Sequence, residues 1–283
     1  MKTHAFAAAA LIMASVAPAG ADEVRLAPHR AVYDIKLLRS EPGSNIAALD
    51  GFLSIEFRGS PCEGYVQSTQ LITNTVDWNG RGVVTDMRAS SWEDGGGEKL
   101  HFRSKRFVNA QEAEAIEGDA TRDPRDKAVQ ISLKSPTYSR WRTGGGTMFP
   151  TQHSIAVIKA AMRGQFALQA DIYDGSDKAE KYHQTTTVIG KQRSGGDTEI
   201  EGLAGAGQLG AMAYWPITVS YFDSDKKGAI LPVYEIAYRL YVNGVSSNLV
   251  INYGNFSVEG SLSQIEFLKP AACGSAESKP VKR

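Results

Sequence analysis

Residues 51–57 read G-F-L-S-I-E-F, and residues 32–37 read V-Y-D-I-K-L. Both stretches alternate with a period of two, which sends successive side chains to opposite faces of an extended strand. A helix would instead repeat its apolar residues every three or four positions. The same alternation marks strand candidates at 65–75, 83–92, 99–108, 112–117, 128–133, 168–173, 183–190, 212–222, 233–242, 245–253 and 256–267. These runs are rich in Val, Ile, Thr, Tyr and Phe, with Gly, Asn, Asp and Ser between them. Asn243-Gly244 joins two of them and is the strongest hairpin signal in the chain. Short connections predict an antiparallel meander, and a sheet this long curls or closes instead of lying flat. The expected fold is all-β: one large antiparallel sheet curled into an open spiral or barrel-like cup.

One segment departs from the pattern. P-T-Q-H-S-I-A-V-I-K-A-A-M-R-G at 150–164 has a helical period, with Thr151 as a cap, Ile155, Ile158 and Met162 on one face, and Gly164 past the end. This predicts one short amphipathic helix that covers the mouth of the cup or fills its concave side. Ahead of the strands, Lys2, an apolar run from Phe6 to Val16 and Ala19-Gly20-Ala21 have the layout of a secretory signal peptide over 1–21. No later run reaches the ~18 apolar residues of a spanning helix. Residues 22–274 are expected to form a single domain in the periplasm, not an integral membrane protein, with a small polar, disordered tail at 275–283. The 31 Lys and Arg residues balance 31 Asp and Glu, so the chain carries no electrostatic footprint for nucleic acid. R-S-K-R at 103–106 is expected to be a solvated strand edge. In an exported chain the two cysteines, Cys62 and Cys273, are most simply one disulfide. The alternative is two buried thiols; a metal site needs more ligands.

The catalytic inventory is thin. D-I-Y-D-G-S-D at 171–177 spaces its aspartates three apart and lacks the terminal glutamate of a calcium loop, so turn chemistry is the favoured reading. G-A-G-Q-L-G at 205–210 matches a dinucleotide fingerprint, but a β-branched, aromatic run follows it where a helix is required. His29, His101, His153 and His183 are scattered, without metal-ligand spacing, and no G-x-S-x-G elbow is present. No catalytic residue, metal or cofactor is expected. A hydrolase would need a nucleophile and base brought together from distant positions. Most late aromatics, from Tyr214-Trp215 to Phe267, belong to the core, and some would line the concave side, where an apolar ligand or peptide would sit.

Several segments together resemble the EipB family of periplasmic cell-envelope integrity proteins of Gram-negative bacteria. They are A-P-H-R-A-V-Y-D at 27–34, F-P-T-Q-H at 149–153, D-I-Y-D-G-S-D at 171–177, W-P-I-T-V-S-Y-F-D at 215–223, L-P-V-Y-E at 231–235 and L-Y-V-N-G-V-S at 240–246. Their order and spacing carry the resemblance, from about residue 27 to Cys273. It implies a β-spiral with a helix, closed by a disulfide between Cys62 and Cys273. It also implies a role in envelope integrity with a periplasmic tetratricopeptide-repeat partner, and no enzymatic activity. A carrier of a lipid or lipoprotein is the alternative that the curled sheet suggests.

Overall fold

The computed structural model describes residues 24–270 and Cys273, apart from 196, 198, 199, 226, 227 and 229. The expected leader at 1–21 and tail at 275–283 lie outside the described residues. The alternating runs form strands β1 (His29–Ser40), β2 (Ala48–Ser60), β3 (Gly64–Val76), β4 (Gly82–Glu93), β5 (Lys99–Val108), β6 (Gln111–Arg122), β7 (Ala128–Ser135) and β8 (Ser139–Gly145). Helix α1 (Pro150–Met162) follows, then β9 (Ala167–Ile172), β10 (His183–Ile189), the two-residue β11 (Arg193–Ser194), β12 (Ala213–Asp223), β13 (Tyr234–Tyr241), β14 (Ser246–Asn252) and β15 (Phe256–Phe267). They build one antiparallel sheet in the order β8-β7-β6-β5-β4-β3-β2-β1-β15-β14-β13-β12-β10-β9, with β11 on β12.

Register follows burial. Ala31, Tyr33 and Ile35 of β1 are buried while Arg30, Asp34 and Lys36 are exposed. Their partners on β2 are Ile55, Leu53 and Gly51, and on β15 Ile265, Leu262 and Gly260. A one-residue slip would turn this whole set to solvent. The sheet coils until its two ends approach each other. The chain leaving β8 touches β9 by one parallel bridge, in which Met148 N–H donates to Asp171 O (2.7 Å) and Tyr173 N–H donates to Met148 O (2.9 Å). Helix α1 lies inside the coil. Val157, Ile158, Ala160 and Ala161 pack against Ile189, Trp215, Ile217, Val219 and Leu240. A separate cluster joins Leu100, Phe102, Ile131 and Leu133 to Phe149, Tyr173 and Ala179. No helix among the described residues is long and apolar enough to cross a membrane.

Five expectations are corrected. β8 (S-R-W-R-T-G-G) was not among the strand candidates, because its arginines and glycines hide a short alternation in which only Thr143 is buried and Trp141 half-buried. The N-cap of α1 is Phe149, not Thr151, and its side chain makes no capping bond. The buried face of α1 includes the expected Ile158, with Ile155 partly buried beside it, and extends through His153, Val157, Ala160 and Ala161, while Met162 is exposed; small residues let the helix sit close to the sheet. Gly164 does end it, at φ +71°, with Gly164 N–H on Ala161 O and Gln165 N–H on Ala160 O. R-S-K-R at 103–106 belongs to β5, an interior strand between β4 and β6. Its charges are solvated because this part of the sheet meets solvent on both faces. Finally, Cys62 and Cys273 are bonded (Cα–Cα 5.6 Å), but the bond does not join the sheet's end to its beginning. The first and last strands already pair over a ladder from His29↔Phe267 to Ser40↔Phe256, and the disulfide adds a staple from the C-terminal tail to the β2–β3 turn.

Candidate functional site

The best-formed cavity lies inside the coil where α1 begins, with a volume of about 180 Å³. Period two supplies its walls: His29 and Tyr33 from β1, Ile55 and Phe57 from β2, Tyr238 and Leu240 from β13. Pro150, Thr151 and Ser154 of α1 and the turn at Asn243-Gly244 complete it. That turn is where the hairpin signal placed it, with Tyr241 N–H on Val245 O at 2.9 Å. Gly244 has φ +84°, and a Cβ there would lie 2.5 Å from the Leu26 side chain. The positive φ is what favours glycine, since the tip of the Leu26 side chain can turn aside.

No Asp, Glu, Lys or Arg lines the cavity. Its polar groups are neutral. His29 is buried and its Nδ1 sits 2.7 Å from Ala27 O, so the proton belongs on Nδ1 and Nε2 is left as an acceptor. Burial holds the imidazole below its usual pKa. Tyr33 donates to Ser246 O at 2.8 Å, and burial pushes its phenol up to about 12. Asn243 accepts from Val245 N–H through Oδ1, while its buried Nδ2 has no protein partner. The cavity thus presents the His29 Nε2 acceptor on walls that mix apolar side chains with Gln67, Thr151, Ser154 and Ser246. That combination suits a small neutral polar group and penalises a charge.

The start of α1 is fixed by residues that sequence reading missed. Buried Glu93 of β4 accepts from Thr151 N–H (2.8 Å) and Gln152 N–H (3.0 Å), capping the helix from 58 residues away. Arg122 of β6 donates to Thr147 O (2.8 Å) and Gly97 O (3.0 Å) and lies over the Phe149 ring at 5.2 Å. Neither partnership leaves a local signal, since both partners are distant in sequence.

The singled-out motifs have structural places. In D-I-Y-D-G-S-D, Ser176 N–H bonds Asp174 Oδ1 at 2.9 Å and Gly175 takes φ +77° against the Phe102 ring. Tyr173 is buried there, its ring edge-on to Phe102 and Trp141. The segment is a turn that seals one core cluster. G-A-G-Q-L-G makes a single 3-10 turn, with Gly205 pressed on Ile265 O. His153 meets Thr187 Oγ1 and His183 meets Ser176 Oγ, both at 3.4 Å. The His101–Asp119 pair is on the exposed outside of the sheet, beside Trp92.

The family model for EipB-like proteins matches residues 20–269. The chain belongs to the EipB-like family. This EipB-like chain is 34% identical over 251 residues to the cell envelope integrity protein EipB of Brucella abortus (strain 2308), spanning 88% of this chain and 87% of that protein. It also resembles the crystal structure of a beta-barrel-like protein of domain of unknown function DUF1849 from Brucella abortus. The TM-score is 0.81 at 33% identity, covering 87% of this chain and all of the other. The open EipB-like spiral and its inner helix are therefore shared architecture, in which the cavity and the paired cysteines are set.

Proposed function

We propose that this EipB-like chain is a non-catalytic periplasmic protein that supports cell-envelope integrity by binding a protein partner or an envelope component. The observation that carries the reading is the full-length similarity to a relative named for envelope integrity. The leader-like start supports the compartment. The non-catalytic reading rests on the family resemblance, which implies no enzymatic activity. Among partners, the resemblance favours a periplasmic tetratricopeptide-repeat protein. The carrier reading needs a continuous apolar volume of about 300–1,000 Å³; the cavity beside the start of α1 holds about 180 Å³, too little for acyl chains at that place.

Deleting the gene and challenging the cells with detergent and cell-wall antibiotics tests the role. Sensitised growth, restored by the wild-type chain, is expected. Wild-type resistance under every envelope stress overturns the reading.

A further inference from the structure

We infer that one end of the strands is a docking rim that seats on the surface of a phospholipid bilayer. The sheet is antiparallel throughout, so its hairpin turns fall into two sets at opposite ends. The two ends differ in chemistry. At the end that carries the disulfide and the cavity, the sheet turns at 61–63, 94–98, 123–127 and 242–245 expose no large apolar side chain among the described residues. The exposed apolar residues nearby, Met162, Phe166 and Val188, gather at the exit of α1. At the other end, Trp78 in the β3–β4 turn and Tyr138 in the β7–β8 turn are each 62% exposed. Ile230 and Leu231 in the β12–β13 loop are 91% and 81% exposed. Tyr253, where β14 turns into β15, and Leu38, near the end of β1, join them.

Hairpin tips ordinarily carry Gly, Asn, Asp and Ser, and an exposed Ile-Leu pair beside exposed aromatics calls for a cover. These anchors are single and sit on separate turns. A protein partner needs a contiguous, shape-matched face, whereas a fluid bilayer accepts anchors at any lateral spacing. Trp and Tyr are the residues that settle at headgroup depth.

Trp78, Tyr138, Leu38 and Tyr253 each have an arginine nearby. Arg81 follows Trp78 in the same turn. The Arg140 guanidinium lies 5.4 Å from the Tyr138 ring centre. Arg39 adjoins Leu38 and donates to Gly254 O next to Tyr253. Arg81 and Arg140 make no ion pair with a carboxylate among the described residues, so both guanidiniums are available to lipid phosphate. Two nearby carboxylates have partners, Asp77 accepting from Asn79 and Arg81 N–H groups and Glu41 pairing with Arg39, while Asp225 adds a negative charge to the β12–β13 loop. The rim thus combines insertable apolar tips with phosphate-binding cations, and it works independently of whatever the cavity at the opposite end holds.

Co-sedimentation of the purified chain with phosphatidylethanolamine–phosphatidylglycerol vesicles tests the inference. Wild type should bind and should stay bound at high salt, because insertion and not charge alone holds it. The double variant Ile230→Ser, Leu231→Ser should lower partitioning by about tenfold or more, the scale expected for losing two buried aliphatic anchors. Its melting temperature should not move, since both side chains are free in the isolated protein. Phe166→Ser, at the opposite end, should bind as wild type. Failure of wild type to sediment, equal binding by the double variant, or loss of binding with Phe166→Ser overturns the proposal.

Discussion

His153 and Glu93 are both buried, and their burial produces opposite pH dependences. His153 has a native pKa of about 4, against 6.5 when free, because desolvation disfavours the imidazolium. The unfolded chain therefore takes up a proton that the native state refuses. The neutral-histidine contribution is fully present above pH 6.5 and is lost as pH falls from 6.5 toward 4. It amounts to about 3 kcal/mol at most. His153→Gln should flatten the fall in urea stability across that interval; an unchanged pH profile refutes this. Glu93 is raised above 4.5 by desolvation, against the opposing effect of its bonds to α1. The native state holds this proton more tightly than the unfolded chain does. That stabilisation is complete below 4.5 and is lost as pH rises through the raised native value. Wild type should thus lose stability relative to Glu93→Gln as pH rises, and a gain would contradict the assignment. Glu93→Ala strips two first-turn N–H groups of their acceptor and should cost about 1–2 kcal/mol at neutral pH in the same urea measurements.

Among the elements, the long connection from β11 to β12 depends on one aspartate. Asp197 is buried and pairs with Arg239 of β13; it accepts from Tyr241 OH at 2.5 Å and from Ser247 Oγ of β14 at 3.3 Å. Ile200, Ala206 and Leu209 from the same connection pack into the central core cluster with Tyr214 and Tyr241. Asp197→Ala leaves a guanidinium and a phenol without this acceptor and should cost about 3–5 kcal/mol. Limited proteolysis should then cut within 195–212 before global unfolding; unchanged cleavage kinetics would remove the latch. None of this is legible in a glycine-rich stretch read alone, because the partners lie 42 to 50 residues downstream. The strands were legible for the converse reason: alternation is local, and a half-buried sheet enforces it residue by residue. Where local content was diluted, as in R-W-R-T-G-G of β8, the strand escaped notice. The turn at Asn243-Gly244 was legible, but the cavity it borders was not, since His29, Phe57 and Thr151 meet there only after the sheet has coiled. On α1 the apolar spacing locates Ile155 and Ile158 correctly and misplaces only Met162, because the lumen around the helix also sets its contacts.

For the molecule as a whole, the disulfide is a staple added to a sheet that is already continuous. It spans 211 residues, for which the chain-entropy account gives an upper bound of about 5 kcal/mol. Cys62→Ser or Cys273→Ser should lower stability by roughly 2–5 kcal/mol and keep the fold. The melting point should fall by about 2–4 °C for each kcal/mol. Reductant should lower the wild-type melting point and leave the doubly substituted protein unmoved; equal wild-type melting with and without reductant, after verified thiol labelling, would falsify a stabilising role. The pairing of β1 with β15 has a further consequence, one of timing. β1 lies mid-sheet, flanked by β2 and by the final strand. During synthesis its second edge has no native partner until residues 256–267 have left the ribosome. Contacts of such long range form slowly, since the intervening chain must be closed into a loop first. Throughout elongation the nascent chain therefore stays short of its native state, with a bare central strand that a holding chaperone can grip and that aggregation can exploit.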